Sequence, residues 1–440
     1  MTYDRREGSV RGATVDIGVS RPTKVLYAWN VEIPRMLKVR QKLEADALAD
    51  PASTLRELLA GRGFAVPLEA GSRVAIAVGS RGIDRLAELV CAVVDAVKDA
   101  GGEPFIVPAM GSHGGATEEG QVAVLVSLGV TWEQVGAPVF PAMETVSLGA
   151  SPSGVEAFMA RTALEADAVV VLNRVGLHTG YSGPVQSGLV KMIAVGLGKV
   201  EGARSLHRHG FSAGHLIGEV ADLAISKAPP ITGVAVVEDA ERRVCRLALL
   251  PGPGIRSEEP ALLELARGMC PRIPVAGADI LIVDEMGKDI SGIGMDPFVI
   301  GRGKDTEEPT AFSARRLVVL RLSEASGGNA TGIGVADITT RRLAEAMDRA
   351  VTYRNVLTSG ALHRARLPLV ADTEREALRM AAESLGDVDA SGLRVVRIRN
   401  TRRLEELQVS EPLTSELEGR PGIELGNPEA MRFTGDGDIV

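Results

Sequence analysis

Aromatic side chains are scarce in this chain of 440 residues, which holds two Trp, four Tyr and eight Phe. Hydrophobic residues still make up 45% of it, so its cores must be built from Val, Leu, Ile and Ala. Cysteine is scarcer. Cys91, Cys245 and Cys270 share no CxxC spacing, which excludes an encoded zinc knuckle or redox pair. Three scattered cysteines fit a reducing, cytoplasmic setting, and Cys91, inside an apolar helical pattern, reads as core packing. No apolar run reaches the about 18 residues of a membrane-spanning helix, and Met1–Lys24 lacks the apolar centre of a secretory signal. A basic arm or stripe is also missing and the formal net charge is −8, so neither nucleic acid nor a membrane is an expected partner. A small anion is compatible, because cations lining a pocket outweigh a distant net charge.

What is present is an alternation of strands and amphipathic helices. The first 70 residues are punctuated by Pro22, Pro34, Pro51 and Pro67. Strands are then expected at 73–78, 104–108, 166–175, 231–238 and 244–250. The spacing of Leu86, Leu89, Val90, Val93, Val94 and Val97 gives a helix that Gly101-Gly102 ends. Thr117 is the expected N-cap of another helix, with Glu118 and Glu119 at its positive end. The Pro/Gly-containing stretch 271–277 reads as a linker. Beyond it, strands are expected at 278–283, 316–322 and 393–399, and helices at 340–351 and 374–384. The pattern implies an α/β fold of two domains with mostly parallel sheets and an active-site cleft between them. The boundaries are residues 1–271 and 272–440, with a tail from about 415 that can pack back on the first domain.

In open α/β sheets, sites form beyond the carboxyl ends of strands. Three polar residues beside glycines occupy such positions: Arg81 in Gly79–Gly82, His113 in Gly111–Gly115, and His178 after the long strand. Arginine can grip a carboxylate with two hydrogen bonds, and imidazole can move protons or bind a metal near neutral pH. Lys191 lies in the apolar run Gly188–Ile193, where burial perturbs an amine. His207 and His209 flank Arg208; at i and i+2 of a helix they point to different faces, so one is a ligand candidate and the other a bystander. A second glycine-rich stretch, Gly287–Lys304, matches neither dinucleotide nor P-loop patterns and offers Lys288, Arg302 or Lys304 to an anion across the cleft. The loop Ser326–Gly332 is either a lid or a structural turn.

This ordered set resembles the nickel-dependent lactate racemase superfamily. The resemblance implies two α/β domains, a cleft site, and a nickel-pincer nucleotide (a nicotinate-derived mononucleotide whose two sulfurs grip Ni), delivered by pincer-biosynthesis proteins. It implies racemisation or epimerisation of a small anionic 2-hydroxy acid by reversible hydride transfer through a 2-keto acid. Residue by residue, Arg81 takes the role of carboxylate binder, and His113 and His178 become catalytic bases on opposite faces. Lys191 contacts or tethers the cofactor, and Tyr181, Ser182 and Gly183 belong to its loop. His207, 16 residues after Lys191, matches the nickel ligand in preference to His209. Lys304 aligns with the second domain's substrate-contacting lysine, and Lys288 is the rival for that role. The chain departs from the family pattern at Val78, Gly82 and Gly114, and by an insertion at Pro184–Ser187. Two other readings fit the histidines: a relative that binds the nucleotide or a sugar acid without racemising, and a histidine-metal hydrolase. Hydrogen exchange at C2 separates the first from a racemase, and tight zinc retention without pincer absorbance marks the second.

Overall fold

A computed structural model describes residues 34–210, 214–302, 310–386 and 389–440. The chain begins with β1 (Met36–Gln41), then builds a five-stranded sheet from β2 (Arg73–Val78) and β3 (Glu103–Pro108). An antiparallel hairpin, β4 (Thr145–Ala150) and β5 (Glu156–Ala160), precedes the remaining strands β6 (Ala168–Arg174), β7 (Ile231–Glu238) and β8 (Val244–Pro251). The order is β3-β2-β6-β7-β8. Four strands are parallel and β8 closes the sheet antiparallel to β7, because the short turn at Asp239–Arg243 can only reverse the chain. Asp239 stabilises that turn by accepting from the amides of Glu241 and Arg243.

The sheet is covered on both faces, as its continuous apolar strands require. Val74, Ile76 and Val78 enter one core with the helix Leu86–Asp99, while Ala75 and Ala77 enter the other. Cys91 packs half-buried against the first core. Thr117 caps the helix Glu118–Ser127 by accepting from the Gly120 amide.

The larger, eight-stranded sheet uses β9 (Gly277–Met286), β10 (Ser313–Leu322), β11 (Ile338–Thr340), β12 (Leu369–Ala371), β13 (Val395–Asn400), β14 (Arg403–Ser410) and β15 (Ile423–Leu425). Its order is β12-β11-β10-β9-β13-β14-β1-β15, parallel from β12 to β13 and antiparallel beyond. A cut at residue 272 therefore separates β1 from its own sheet. The tail runs beside β1, pairing Met36 with Glu429, and ends with Ile439 buried and bonded to Glu374. Ile273 and Val275, in the stretch read as a linker, are buried in the larger sheet's core. The single helix expected at 340–351 is two, Arg341–Ala346 and Arg349–Ser359. Asp348 breaks it: its side chain caps the second helix through the Val351 amide, and its own amide is bonded to Gly328.

Both sheets reverse their strand order at one place, between β2 and β6 in the smaller and between β9 and β13 in the larger. Such reversals part the loops that leave adjacent strand ends and open a crevice there. No described helix is long and apolar enough to cross a membrane.

Candidate active site

The loops leaving β2, β3 and β6 meet the loops leaving β9 and β10 around one cavity of about 550 Å³. Arg81, His113, His178, Lys191, His207 and Lys288 all line it. His209 does not, and is exposed. Lys304 lies outside the described residues. Arg302 lies away from the cavity, held by Asp337 at 2.8 Å. The loop Ser326–Gly332 contributes Asn329 and Thr331 to the wall.

Each side chain is placed by a local device. The loop carrying His113 turns at Gly114, with φ of +66°. A Cβ at Gly114 would sit 2.5 Å from the Gly120 backbone, so the residue that follows His113 must be glycine here. Buried Gln121 ties the loop down, donating to Gly111 O (2.9 Å) and His113 O (3.4 Å) and accepting from Lys199 Nζ at 2.9 Å. Lys191 ends a short helical turn, Leu189–Lys191, that continues as a π-helical turn, Met192–Gly196. Such turns widen a helix locally and recur at functional sites. Asn173 holds the start of this segment by donating to Gly188 O at 2.9 Å, and buried Glu259 accepts from the Val190 amide at 3.0 Å.

Residues 184–187, which departed from the expected pattern, are integral to the His178 loop. Gln186 is buried and accepts from the His178 amide at 2.9 Å, and Ser187 pairs with Gly176. His178 Nδ1 in turn accepts from the amides of Gly180 (3.0 Å) and Tyr181 (2.9 Å). This curl carries residues 181–183 away from the cavity, so none of Tyr181, Ser182 and Gly183 lines it. Tyr181 supports the site from beneath. Its buried ring lies 4.8 Å from the His178 ring and 5.2 Å from Lys191 Nζ, an arrangement in which the ring face favours a cation.

The second half supplies Lys288, offered by the glycine-rich stretch, together with Arg354, Asn355 and Arg364, which no sequence motif marked. Arg364 is 3% exposed and donates toward Thr179 O at 3.5 Å, bridging the halves. Lys288 donates to Gly292 O and lies 3.4 Å from Asn355 Oδ1. A Cβ on Gly292 would come within 3.0 Å of Arg81 Nη2, so the halves meet closely there.

Five cationic side chains, Arg81, Lys191, Lys288, Arg354 and Arg364, line the cavity, and no described carboxylate does. Desolvation and this cationic surrounding act together. Burial, then Arg81, brings the Lys191 amine down to about 7. Burial, then Arg81 and Arg364, brings Lys288 to about 8. His113 is exposed at the cleft, and desolvation there, then Arg81, push it to about 4. His178 is held well below its ordinary value by burial and then Lys191, and His207 is lowered by the same two causes.

Residues 29–215 match the lactate racemase N-terminal domain family. The matched segment is similar to a lactate racemase N-terminal domain. Within it fall Arg81, His113, His178, Lys191 and His207, whereas Lys288 and Arg364 lie beyond the matched residues. A solved structure, the lactate racemase apoprotein from Thermoanaerobacterium thermosaccharolyticum, aligns over 84% of this chain and 94% of its own at 14% identity, with a TM-score of 0.45. No curated protein gives a match. Over residues 29–215 the chain is therefore similar to that family, and its fold is mixed α/β.

Two predictions arise from buried groups in and beside the cavity wall. Lys191 should react with an anionic amine reagent such as trinitrobenzenesulfonate at a rate that rises through about pH 7, far below the about 10.4 of an ordinary lysine. Peptide mass spectrometry across pH reads this, and a rise only above about pH 9 refutes it. Glu259 is raised from 4.5 to about 7 by burial. Between those values the folded chain holds a proton that the unfolded chain has lost. Stability from this group is therefore full below about 4.5 and declines as pH rises to about 7. Glu259→Gln should remove that decline from the Tm-against-pH curve, and an unchanged slope sinks the assignment.

Proposed function

We propose that this protein is a racemase or epimerase of a small anionic 2-hydroxy acid that works with a nickel-pincer nucleotide. The observation that carries the reading is convergence: Arg81, His113, His178, Lys191 and His207 leave different elements of the lactate racemase-like segment and line one carboxylate-free cavity. Their donor chemistry fits the cofactor. No group of three or more described His, Cys, Asp or Glu side chains could hold a metal, so a hydrolase-type metal site finds no ligand set among them. A nickel held mainly by the nucleotide's own sulfurs needs only one imidazole, and borderline-soft Ni accepts sulfur and nitrogen together. His207 would supply that imidazole, and Lys191, with an amine near neutrality, would contact or tether the nucleotide. Bound there, the nucleotide supplies a hydride acceptor and donor for the carbon-bound hydrogen.

The protein's own residues do the rest. Arg81 pairs with the substrate carboxylate and retains the planar keto acid during turnover. His113 and His178 act on the hydroxyl oxygen, and Lys288 adds positive charge from the second half. The fixed positions of these cations and imidazoles strengthen each of these interactions. Co-expression with pincer-biosynthesis proteins, followed by metal analysis and intact mass, tests the reading. One nickel per chain with a sulfur-containing nucleotide, and hydrogen exchange at C2 of a 2-hydroxy acid, is the expected result. A folded protein that takes up neither nickel nor nucleotide refutes it.

A further inference from the structure

We propose that the protein holds a second binding site, for a phosphoryl dianion, in a cavity that the loop after β9 separates from the catalytic one. The proposal goes beyond the racemase reading and does not depend on it.

The fold opens a crevice there. The larger sheet reverses its order between β9 and β13, and ligands of open α/β sheets gather where the loops leaving adjacent strands part. The catalytic cavity takes one side of the β9 loop, through Lys288 and Gly292, and continues to Asn329 after β10. On the β13 side the same loop gives Asp289 and Ile290 to a separate cavity of about 550 Å³. The turn between β7 and β8 also lines it, so both halves of the chain enclose this space.

What remains unpaired in this second cavity is mainly positive. Arg242 enters from the first half, and Arg399, Arg402 and Arg403 from the second. Of the carboxylates in the wall, Glu241 is bonded to Arg243 at 2.9 Å and Glu405 lies 3.7 Å from Arg403. Asp289 Oδ1 accepts from the Ser323 hydroxyl. Arg402 donates only to a carbonyl, Asp289 O, at 3.3 Å. No described hydrogen bond or ion pair holds the guanidinium of Arg242 or of Arg399. Burial lowers the Arg242 guanidinium, and the like charges Arg174 and Arg402 outrank the opposing Glu238 and Asp296. Glu238 is itself already bonded to Arg174 at 2.6 Å. Three guanidinium groups thus lack a carboxylate of their own. A phosphoryl group supplies two negative charges and oxygens spaced for guanidinium forks. Glu285, which also lines the cavity, is left to accept from a hydroxyl on the same ligand.

The arginines are presented by fixed turns. Arg242 has a φ of +61°, a left-handed conformation rare outside glycine and found at ligand clamps. Asp239 holds that turn through the Glu241 and Arg243 amides, and the Ala240 amide is bonded to Glu44 O at 3.2 Å. Across the cavity, buried Asn400 accepts from the amides of Arg402 (2.9 Å) and Arg403 (3.1 Å). A dianion between Arg242 and Arg399 therefore bridges the two halves beside the loop that brings Lys288 to the catalytic cavity.

The test is calorimetric titration of the full-length protein with inorganic phosphate and, separately, with glycerol 3-phosphate. Saturable binding below about 1 mM is expected for at least one of them. Arg242→Gln and Arg399→Gln should each weaken it about 10-fold, the scale of one charge-assisted contact. Neither side chain has a described bond to lose, so both variants should fold, and Tm values check this. Arg246→Gln, which removes an exposed charge on β8 outside the cavity, should bind as wild type does. Tighter binding of glycerol 3-phosphate, with the gain lost in Glu285→Ala, supports the site and marks a phosphate ester as its occupant. Binding of inorganic phosphate at least as tight supports the site and marks the free ion. Wild-type affinity in Arg242→Gln and Arg399→Gln, with loss in Arg81→Gln, puts the anion in the catalytic cavity and overturns the proposal. Equal weakening by Arg246→Gln reduces the effect to general charge and overturns it, as does the absence of saturable binding.

Discussion

His113→Ala is expected to lower turnover of the accepted 2-hydroxy acid by about 10²–10⁴-fold, the usual contribution of a positioned acid–base group. Retention of nickel and nucleotide should not change, since neither Lys191 nor His207 contacts the substituted imidazole through any described hydrogen bond. The pH dependence supplies an independent check. Desolvation and Arg81 push His113 to about 4, so in the free enzyme it is an unprotonated base across the neutral range. The acid limb of kcat/KM should therefore fall well below the 6.5 of an ordinary histidine, with activity lost only as pH drops toward about 4. Full activity in His113→Ala removes it from the mechanism. An acid limb near 6.5 in wild type, absent in no variant, places the titrating group elsewhere.

His207→Ala is expected to reduce nickel per chain by at least about 10-fold, on the scale of perturbations to a metal's immediate surroundings. The fold should survive, because His207 closes a helix at the cavity wall and forms no part of either hydrophobic core of the small sheet. His209→Ala is the matched control. It removes an exposed imidazole two residues away and outside the cavity, and should leave nickel content unchanged. Both proteins are assayed by metal analysis after loading, and Tm values confirm that they are folded. Nickel retained by His207→Ala and lost by His209→Ala reverses the choice between the two histidines. Retention by both means that no imidazole of this helix end holds the metal.

The residues that face the cavity from the first half are legible because their signals are local. A run such as Arg73–Val78, followed by Gly79-Ser80-Arg81-Gly82, announces a strand and the loop at its carboxyl end. The same holds for His113 after β3 and His178 after β6. Spacing from Lys191 also favoured His207 over His209, and only His207 lines the cavity. Tyr181, Ser182 and Gly183 show the opposite case. Their neighbourhood to His178 suggested contact with a cofactor, but the bonds from two amides to His178 Nδ1 curl this stretch away, leaving Tyr181 as a buried support. The insertion at Pro184–Ser187 read as a departure from a family pattern; in the fold it supplies Gln186, which positions the His178 backbone.

By itself, the sequence determined the α/β alternation, the strand ends from which the first-half residues emerge, and the cationic and imidazole chemistry offered there. These follow from apolar periodicity and from glycine beside polar residues, over windows of about ten residues. Only the tertiary structure decided the remainder. Arg364 reaches Thr179 across 185 positions, Lys288 meets Asn355 across 67, and β1 joins β14 and β15 in a sheet assembled from both ends of the chain. The reason is physical: a strand pattern specifies which face is buried. It does not specify which distant strand or loop will cover it. That choice is made when the two sheets close on each other and bring their parted loops around one cavity.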